Sequence, residues 1–532
     1  MYNSTNHDVN LNKKTFNQKL FKKYGNMPNY IKNIHNVSDY PLKELEYFVL
    51  PVIQIKQDDK NILLETNRIK SLDQQFGIKN LFEKEEFSGK KDSDFVFPNT
   101  NGPTLIFCGL GLLNEYQKYL EFKISQSIQN GLKEIKKKNI SKIAIDLSSL
   151  KEGFEFYNIS FNIKSLLTNV LIAFADYTYH TLEAKEISKI IENLYILSNF
   201  EISENDRDFA KSVIEARASA MDLVNMPANI KTTNTLVQKA KSLESLGLKV
   251  EIIDDVNWIR ENMPCFYVVA KGSLQTDPPK WIKVQYTPNT EIKHKIALIG
   301  KSVIFDTGGY QVKPDNYMNT MKADMTGGAS VLSVIEQVAK LKLPYIQVTA
   351  YCPATPNKID SDAMLPDSIV STTCGKKVEI RHTDAEGRLT LIDAVAMAEK
   401  DGNDLFVTVA TLTGSAARAV GPRIALMSTR PDKRLEFEKS LEEIGEPYQS
   451  LEVEEEDYED IKSKLDGADI NNTGSEKYRG AQTAAAFVFS GLSSLNKPCI
   501  HLDIAGGDMT KEEKATGISI KGILNYLLFL TK

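Results

Sequence analysis

Short apolar runs alternate with amphipathic stretches along most of the chain, and the spacing of the apolar positions sorts them into strands and helices. Between residues 45 and 200, YFVLPVIQI and PTLIFCGLG are strand-length apolar runs, Tyr116 to Lys137 keeps a helical period, KIAIDLSSL reads as a strand and Phe161 to Ala175 as a helix. The segment NDRDFAKSVIEARASAMDLVNMPAN opens on Asp/Asn capping candidates, keeps the helical period and stops at Pro227, which predicts a connecting helix. Downstream the order is regular: KIALIG, a helix over Gly328 to Lys340, YIQVTAYC, a helix over Leu389 to Lys400 stopped by Asp401-Gly402, DLFVTVATLTG, a helix over Thr483 to Leu495, and CIHLDIAG. Strands apolar on both faces and separated by helices predict a mostly parallel central sheet flanked by helices, with ligands gathered beyond the strand C-termini. The expected fold class is α/β in two domains, a smaller N-terminal α/β domain and a larger C-terminal one. The expected boundaries are a lysine- and asparagine-rich extension over 1–42, the N-terminal domain over 43–203, a connecting helix and linker over 204–229, and the C-terminal domain over 230–532. No internal repeat is visible.

Composition narrows the class without naming a function. With 532 residues, 42% hydrophobic and 25% charged, the chain is an ordinary globular sequence with an ample core. A net charge of -5, a pI near 5.9 and the lack of a basic stripe argue against nucleic acid as a partner. KEIKKKN (Lys133 to Asn139) reads as a solvated helix end, and EVEEEDYED (Glu452 to Asp460) as a solvated acidic face without Gly-turn ligand spacing. Cys108, Cys265, Cys352, Cys374 and Cys499 are scattered and read as reduced thiols of an intracellular protein. No apolar run reaches the roughly 18 residues of a membrane span, and no signal-peptide core follows Met1. In the first 40 residues Lys13, Lys14, Lys19, Lys22, Lys23 and Lys32 face only Asp8 and Asp39. A mitochondrial presequence would be richer in Arg and Ser, so a disordered or docking extension of a cytoplasmic protein is expected.

The candidate chemistry begins at HTDAEGRL, His382 to Leu389. In an extended segment the side chains of Asp384 and Glu386 point the same way, so both carboxylates can face one cation while Arg388 waits beside them for an anion. Upstream, GKSVIFDTGGYQVKP and MKADMTGG supply Lys301, Asp306, Lys313 and Asp324. Four carboxylates, two lysines and an arginine beside Gly-rich turns, next to runs as apolar as IALIG, are placed at the ends of buried strands. Unpaired carboxylates there are costly unless a cation holds them.

From DLVNMPAN (Asp222 to Asn229) to HLDIAGG (His501 to Gly507), over about the last 320 residues, the chain resembles the M17 leucyl aminopeptidases, two-metal exopeptidases. The resemblance implies Lys301, Asp306, Asp324, Asp384 and Glu386 as metal ligands. One ion is held by Asp306, Asp384 and Glu386, the other by Lys301, Asp306, Asp324 and Glu386. It implies Lys313 and Arg388 as the catalytic pair, with Arg388 holding a bicarbonate ion, and TLTG (Thr411 to Gly414) as the loop that contacts the peptide, where the carbonyl of Leu412 receives it. It also implies Zn2+ or Mn2+ at the sites, leucine-like N-terminal residues in short peptides as substrates, and a homohexamer.

The physics of that assignment stands apart from the family. Two divalent ions roughly 3.5 to 4 Å apart need bridging anions, and carboxylates such as Asp306 and Glu386 can bridge. An all-oxygen set with one amine leaves the metal exchangeable among Zn2+, Mn2+ and Mg2+. Lys301 is the odd member, since an ammonium cannot ligate and a dication must drive its amine neutral; read without the other ligands it is a salt bridge to Asp306. His382 stands where the family usually has Asn, and with the carboxylate set complete it reads as a supporting or packing residue rather than a ligand. His501, in a buried strand, reads as a satisfied core residue. Neither HExxH nor GxSxG occurs, which excludes a zincin and removes the usual serine nucleophile. Ser302, Thr307 and Val312 depart mildly from the family pattern, and with Tyr310 they bear on rate and substrate preference rather than on reaction class. The competing reading is a scaffold that has kept the fold and lost turnover.

Overall fold

Two large sheets organise the computed structural model, which describes residues 31–84, 87–116, 118–135, 139–179 and 189–532. The first contains β1 (Ile31–Val37), β2 (Tyr47–Gln57), β3 (Lys60–Leu63), β4 (Asp94–Phe97), β5 (Thr104–Leu112), β6 (Asn139–Asp146) and β7 (Ile190–Leu197). Its order is β1-β7-β6-β2-β5-β4, with β3 beside β2. The central pairings are parallel, and β3 and β4 add antiparallel flanks. Helices α1 (Leu120–Lys133) and α2 (Ile163–Thr178) bury Ile124, Ile128 and Leu132, and Leu166, Val170 and Phe174, in one core with Val49, Ile106 and Ile145 of the sheet. The spacing of four along each helix keeps those side chains on one face.

The chain then runs through α3 (Glu204–Asn225) into β8 (Lys249–Ile253), β9 (Lys280–Tyr286), β10 (His294–Gly300), β11 (Ser302–Asp306), α4 (Thr326–Leu341) and β12 (Ile346–Asn357). It continues through β13 (Ser368–Ser371), β14 (Lys377–Ile380), α5 (Gly387–Lys400), β15 (Leu405–Ala410), α6 (Gly414–Val420), β16 (Ile424–Ser428) and β17 (Tyr448–Ser450). Last come β18 (Ile470–Asn471), α7 (Gly480–Phe489), β19 (Cys499–Asp503) and α8 (Ile520–Phe529). The second sheet has the order β17-β16-β19-β15-β10-β12-β9-β8 with β11 beside β12, while β13, β14 and β18 form a small separate sheet. Its centre, β12-β10-β15-β19, is parallel, and β8, β9 and β16 pair antiparallel at the flanks. Along β10, Ile296 and Leu298 enter the core that holds α4, and Ala297 and Ile299 the core that holds α5. Burial on both faces is why this strand is apolar throughout instead of alternating. The fold is thus α/β, with a parallel-rich sheet flanked by helices in each of two units.

The two units meet through polar contacts. Lys521 of α8 donates to Asn169 of α2 at 2.7 Å, Arg217 of α3 pairs with Asp176 of α2 at 2.9 Å, and Lys164 pairs with Glu443 at 3.1 Å.

Several expected elements shift. Strand β1 lies inside the segment 1–42, because Ile31 to Val37 find a parallel partner in β7; residues 1–30 lie outside the described residues. KIAIDLSSL leaves the strand at Asp146, whose carboxylate accepts the Ser148 N–H at 2.7 Å and starts a helix. Ser203 caps α3 rather than the Asn or Asp that follow it, and α7 stops at Phe489, six residues before Leu495. The acidic stretch is not wholly solvated: Asp457 is buried and takes two hydrogen bonds of 2.8 Å from Arg479. Of KEIKKKN, residues 136–138 lie outside the described residues. Among the described residues no helix is long and apolar enough to cross a membrane.

Candidate active site

Three strands of the second sheet and two helix N-termini deliver the charged side chains to one place. β11 ends at Asp306, β15 ends one residue before Thr411, and β19 ends at Asp503. Lys301 sits between β10 and β11 with its N–H on Val409 O at 2.9 Å, Asp324 precedes α4, Glu386 is the residue before α5, and Arg388 lies in the first turn of α5. Two glycines permit the approach. Gly308 has φ +90°, and a Cβ there would lie 2.5 Å from Gln311 O; a Cβ at Gly387 would lie 2.4 Å from Lys301 Cε.

The structure brings the carboxylates of Asp306, Asp324 and Glu386 together, with one oxygen of each within 4.8 Å of the others, all buried. Lys301 pairs with Asp324 at 2.7 Å and Glu386 at 2.9 Å, and Lys313 pairs with Asp306 at 2.7 Å and Asp384 at 2.6 Å. Asp384 therefore joins the cluster through Lys313. The salt bridge expected between Lys301 and Asp306 is formed with Asp324 and Glu386 instead. Thr411 Oγ1 donates to Asp324 at 2.9 Å, and Lys301 donates to Thr411 O at 3.0 Å, which ties the TLTG loop to the cluster. Gly414 is exposed at the start of α6.

Electrostatics show an underneutralised acidic site. Four carboxylates face two ammoniums. Burial pushes the Asp384 carboxyl up to about 7, assisted by Asp306 and Glu386, although Lys313 pulls the other way. Asp324 rises well above the carboxylate range for the same reason, burial first, with Lys301 opposing. Burial disfavours the charge on Lys301, but Asp324, Glu386 and Asp306 outweigh it and hold the amine protonated, its pKa above the usual lysine value. A neutral Lys301 ligand therefore requires a dication strong enough to reverse that balance. Asp324 Oδ2 and Glu386 Oε2 are buried and have no hydrogen-bond partner among the described residues. Oxygens of that kind, in an oxygen-rich set, fit a divalent cation. Arg388 is also buried, its Nε has no partner among the described residues, and burial pulls its pKa down to about 10 against the opposing pull of Glu386 and Asp503. A guanidinium without a carboxylate partner is a receptor for an anion.

The departures from the family pattern have local explanations. Ser302 turns back to donate to Gly300 O at 2.8 Å, Thr307 donates to Asn357 O at 2.9 Å, and Tyr310 is exposed with its hydroxyl on Asp360 O at 2.7 Å. His382 is exposed, and its Nδ1 accepts the N–H of Asp384 at 3.2 Å.

Four residues that sequence reasoning did not single out position the site. Asn357 donates to Asp306 at 2.8 Å and to Thr383 O at 3.2 Å. Thr383 donates to Gly308 O at 2.6 Å and accepts the Gln311 N–H at 2.9 Å, fixing the loop that carries Lys313. Asn472 brackets the backbone of His382 and Ala385. Asp503 accepts the Leu412 N–H at 3.2 Å and the Thr413 hydroxyl at 2.8 Å. Only Asp503 gave a sequence signal, as a carboxylate in an otherwise apolar strand.

Residues 218–524 match the cytosol aminopeptidase family, catalytic domain. A probable cytosol aminopeptidase of Aquifex aeolicus is 32% identical over 460 residues, covering 85% of this chain and 90% of that one. One from Nostoc punctiforme is 33% identical over 479 residues, covering 87% and 93%. Among solved structures, a tomato leucine aminopeptidase mutant superposes with a TM-score of 0.80 at 25% identity, covering 94% of this chain and 96% of that one. The bottromycin maturation enzyme BotP in complex with Mn shares the fold, with a TM-score of 0.77 at 22% identity, covering 92% and 100%. With most of its length aligned and a dense acidic site at the strand C-termini, this chain belongs to the cytosol aminopeptidase family, the M17 peptidases.

Proposed function

We propose that the protein is a metal-dependent aminopeptidase that removes the N-terminal residue of short peptides, with leucine-like residues favoured. The observation that carries this reading is the convergence of Asp306, Asp324 and Glu386, with two orphaned buried carboxylate oxygens, beside Lys313 and Arg388. Lys301, Asp306, Asp324, Asp384 and Glu386 are the proposed ligands of two divalent ions, Zn2+ or Mn2+ with Mg2+ admissible. When bound, such ions supply Lewis-acid polarisation of the scissile carbonyl and a water acidic enough to ionise near neutral pH.

The chain's own groups complete the reaction. The substrate's free α-amine would be a further donor to such an ion, which selects for an N-terminus. Lys313, anchored between Asp306 and Asp384, supplies a fixed cation for the oxyanion that develops on the carbonyl oxygen. Arg388 would hold a bicarbonate ion, which when bound would supply a base for the proton released by water. Thr411, Leu412 and Gly414 line the peptide path, and Asp503 holds that loop at Leu412 and Thr413. A homohexamer would restrict access to short peptides, and the cytoplasm is the proposed compartment.

The test is hydrolysis of a leucyl chromogenic amide by protein loaded with Mn2+ or Zn2+, beside Asp384→Ala. Turnover by the wild type and its loss in the variant are expected. Full activity in Asp384→Ala would sink the ligand assignment, and no turnover in either, with metal bound, would favour a scaffold.

A further inference from the structure

Arg418 is a cation beside the peptide loop that the reaction does not use. It is exposed on α6, makes no ion pair among the described residues, and donates from Nη2 to Ser415 Oγ at 3.3 Å. Ser415 in turn lies against the start of α7, since a Cβ at Gly480 would fall 2.6 Å from its Oγ. The arginine at that helix start is already committed: Arg479 donates to both carboxylate oxygens of Asp457 at 2.8 Å.

The Arg418 guanidinium stands over Gly414. A Cβ on that glycine would lie 3.3 Å from Arg418 Nη1, and apart from its chain neighbours and its own helix backbone nothing else described comes within 4 Å. Positions 414 and 418 are neighbours on one face of the helix, which brings the side chain back over the glycine. The loop leading there is fastened everywhere but at one atom. Thr411 is tied to the carboxylate cluster through its hydroxyl and its carbonyl, while the Leu412 N–H and the Thr413 hydroxyl go to Asp503. The Leu412 carbonyl accepts no hydrogen bond among the described residues. It is the open acceptor between the cluster and Arg418, and a peptide N–H fits it.

A peptide with its α-amine at the cluster and an N–H on Leu412 O runs on toward Gly414. Thr411 and Gly414 are three residues apart, at most about 10 Å, a span that about three extended residues cover. We propose that Arg418 determines substrate length by binding the C-terminal carboxylate of short peptides, tripeptides foremost. The planar fork of guanidinium donors matches a carboxylate in a way that the amide of a longer chain cannot. Longer peptides carry their carboxylate past Arg418 and lose the contact.

This inference rests on the aminopeptidase reading of the site, and a leucyl chromogenic amide, which has no carboxylate, tests that reading separately. In Mn2+-loaded enzyme, kcat/KM for Leu-Gly-Gly should exceed that for its C-terminal amide by about tenfold, with the difference in KM. For Leu-Gly-Gly-Gly-Gly and its amide the ratio should be about one. Arg418→Gln should bring the tripeptide ratio to about one, Arg418→Lys should keep part of it, and Arg418→Glu should invert it. A wild-type tripeptide ratio near one, an equal preference at both lengths, or a full ratio in Arg418→Gln overturns the inference while the chromogenic amide is still hydrolysed. No turnover of the chromogenic amide or of any peptide, with metal bound, overturns the reading of the site and this inference with it. The comparison of the two lengths uses wild-type protein alone, so it decides the matter even where a variant does not fold.

Discussion

Lowering the pH from 8 to 5 should weaken divalent-cation binding steeply, because a proton must leave Asp384 before a cation can use it. The Asp384 side chain is 25% exposed and lies 2.6 Å from Lys313, yet burial together with Asp306 and Glu386 pushes its carboxyl up to about 7. Below that value each pH unit costs about 1.4 kcal/mol of binding free energy, a factor of ten. At pH 5 the penalty is about 2.7 kcal/mol, or roughly a hundredfold in Kd. Asp324, raised by burial as well, steepens the dependence further. The sign for the metal-free fold is the reverse. A carboxyl whose folded pKa is raised stabilises the fold below its unfolded pKa near 4, and that stability is lost as pH rises through about 7. Isothermal titration of Mn2+ into chelator-stripped protein at pH 5, 6, 7 and 8, in buffers of different ionisation enthalpy, gives both Kd and the protons released. Asp384→Asn should bind more weakly but with a flatter slope below pH 7. A wild-type Kd unchanged between pH 5 and 7, or an Asp384→Asn slope identical to wild type, would refute the reasoning.

Lys313→Ala should lower kcat by about 10² to 10³ while metal content is retained, since it removes a cation that acts on developing charge; steady-state kinetics with metal analysis check this, and a change confined to KM would contradict it. Asp503→Asn leaves one acceptor oxygen where Leu412, Thr413 and Ala505 now share two, so KM for peptide amides should rise about threefold to tenfold with metal affinity unchanged. His382→Asn should leave metal content unchanged, as its Nδ1 is used on the Asp384 N–H, and loss of one equivalent by elemental analysis would make it a ligand. Gly308→Ala places a Cβ against Gln311 O at φ +90° and should destabilise the fold by about 1 to 3 kcal/mol in thermal unfolding; an unchanged melting curve would remove the argument for strain at that turn.

The candidate site was legible where chemistry is written as residue type. Carboxylates, lysines and an arginine beside Gly-rich turns stand out in an otherwise apolar stretch, so Lys301, Asp306, Lys313, Asp324, Asp384, Glu386 and Arg388 could be named before any coordinates. Asn357, Thr383 and Asn472 could not, because a short polar residue in a loop has many uses and only its partners tell which one it serves. Asp503 and His501 lie between these cases: each is a polar residue in an apolar strand, but only the structure shows that Asp503 is used by the Leu412–Thr413 loop and that His501 Nε2 has no partner among the described residues.

The sequence by itself determined the two-unit α/β pattern and the chemical type of the site, because period, apolar run length and charge are local properties of the chain. Strand order, the antiparallel flanks, β1 at the edge of the first sheet and the pairing of each lysine with its acids were decided by tertiary structure alone. Lys301 shows the reason. Three carboxylates separated from it by 5, 23 and 85 positions are all candidate partners in the sequence. Only the packing of α4 and α5 against the ends of β10, β11 and β15 sets which oxygens reach its amine, and therefore which buried oxygens are left for a cation.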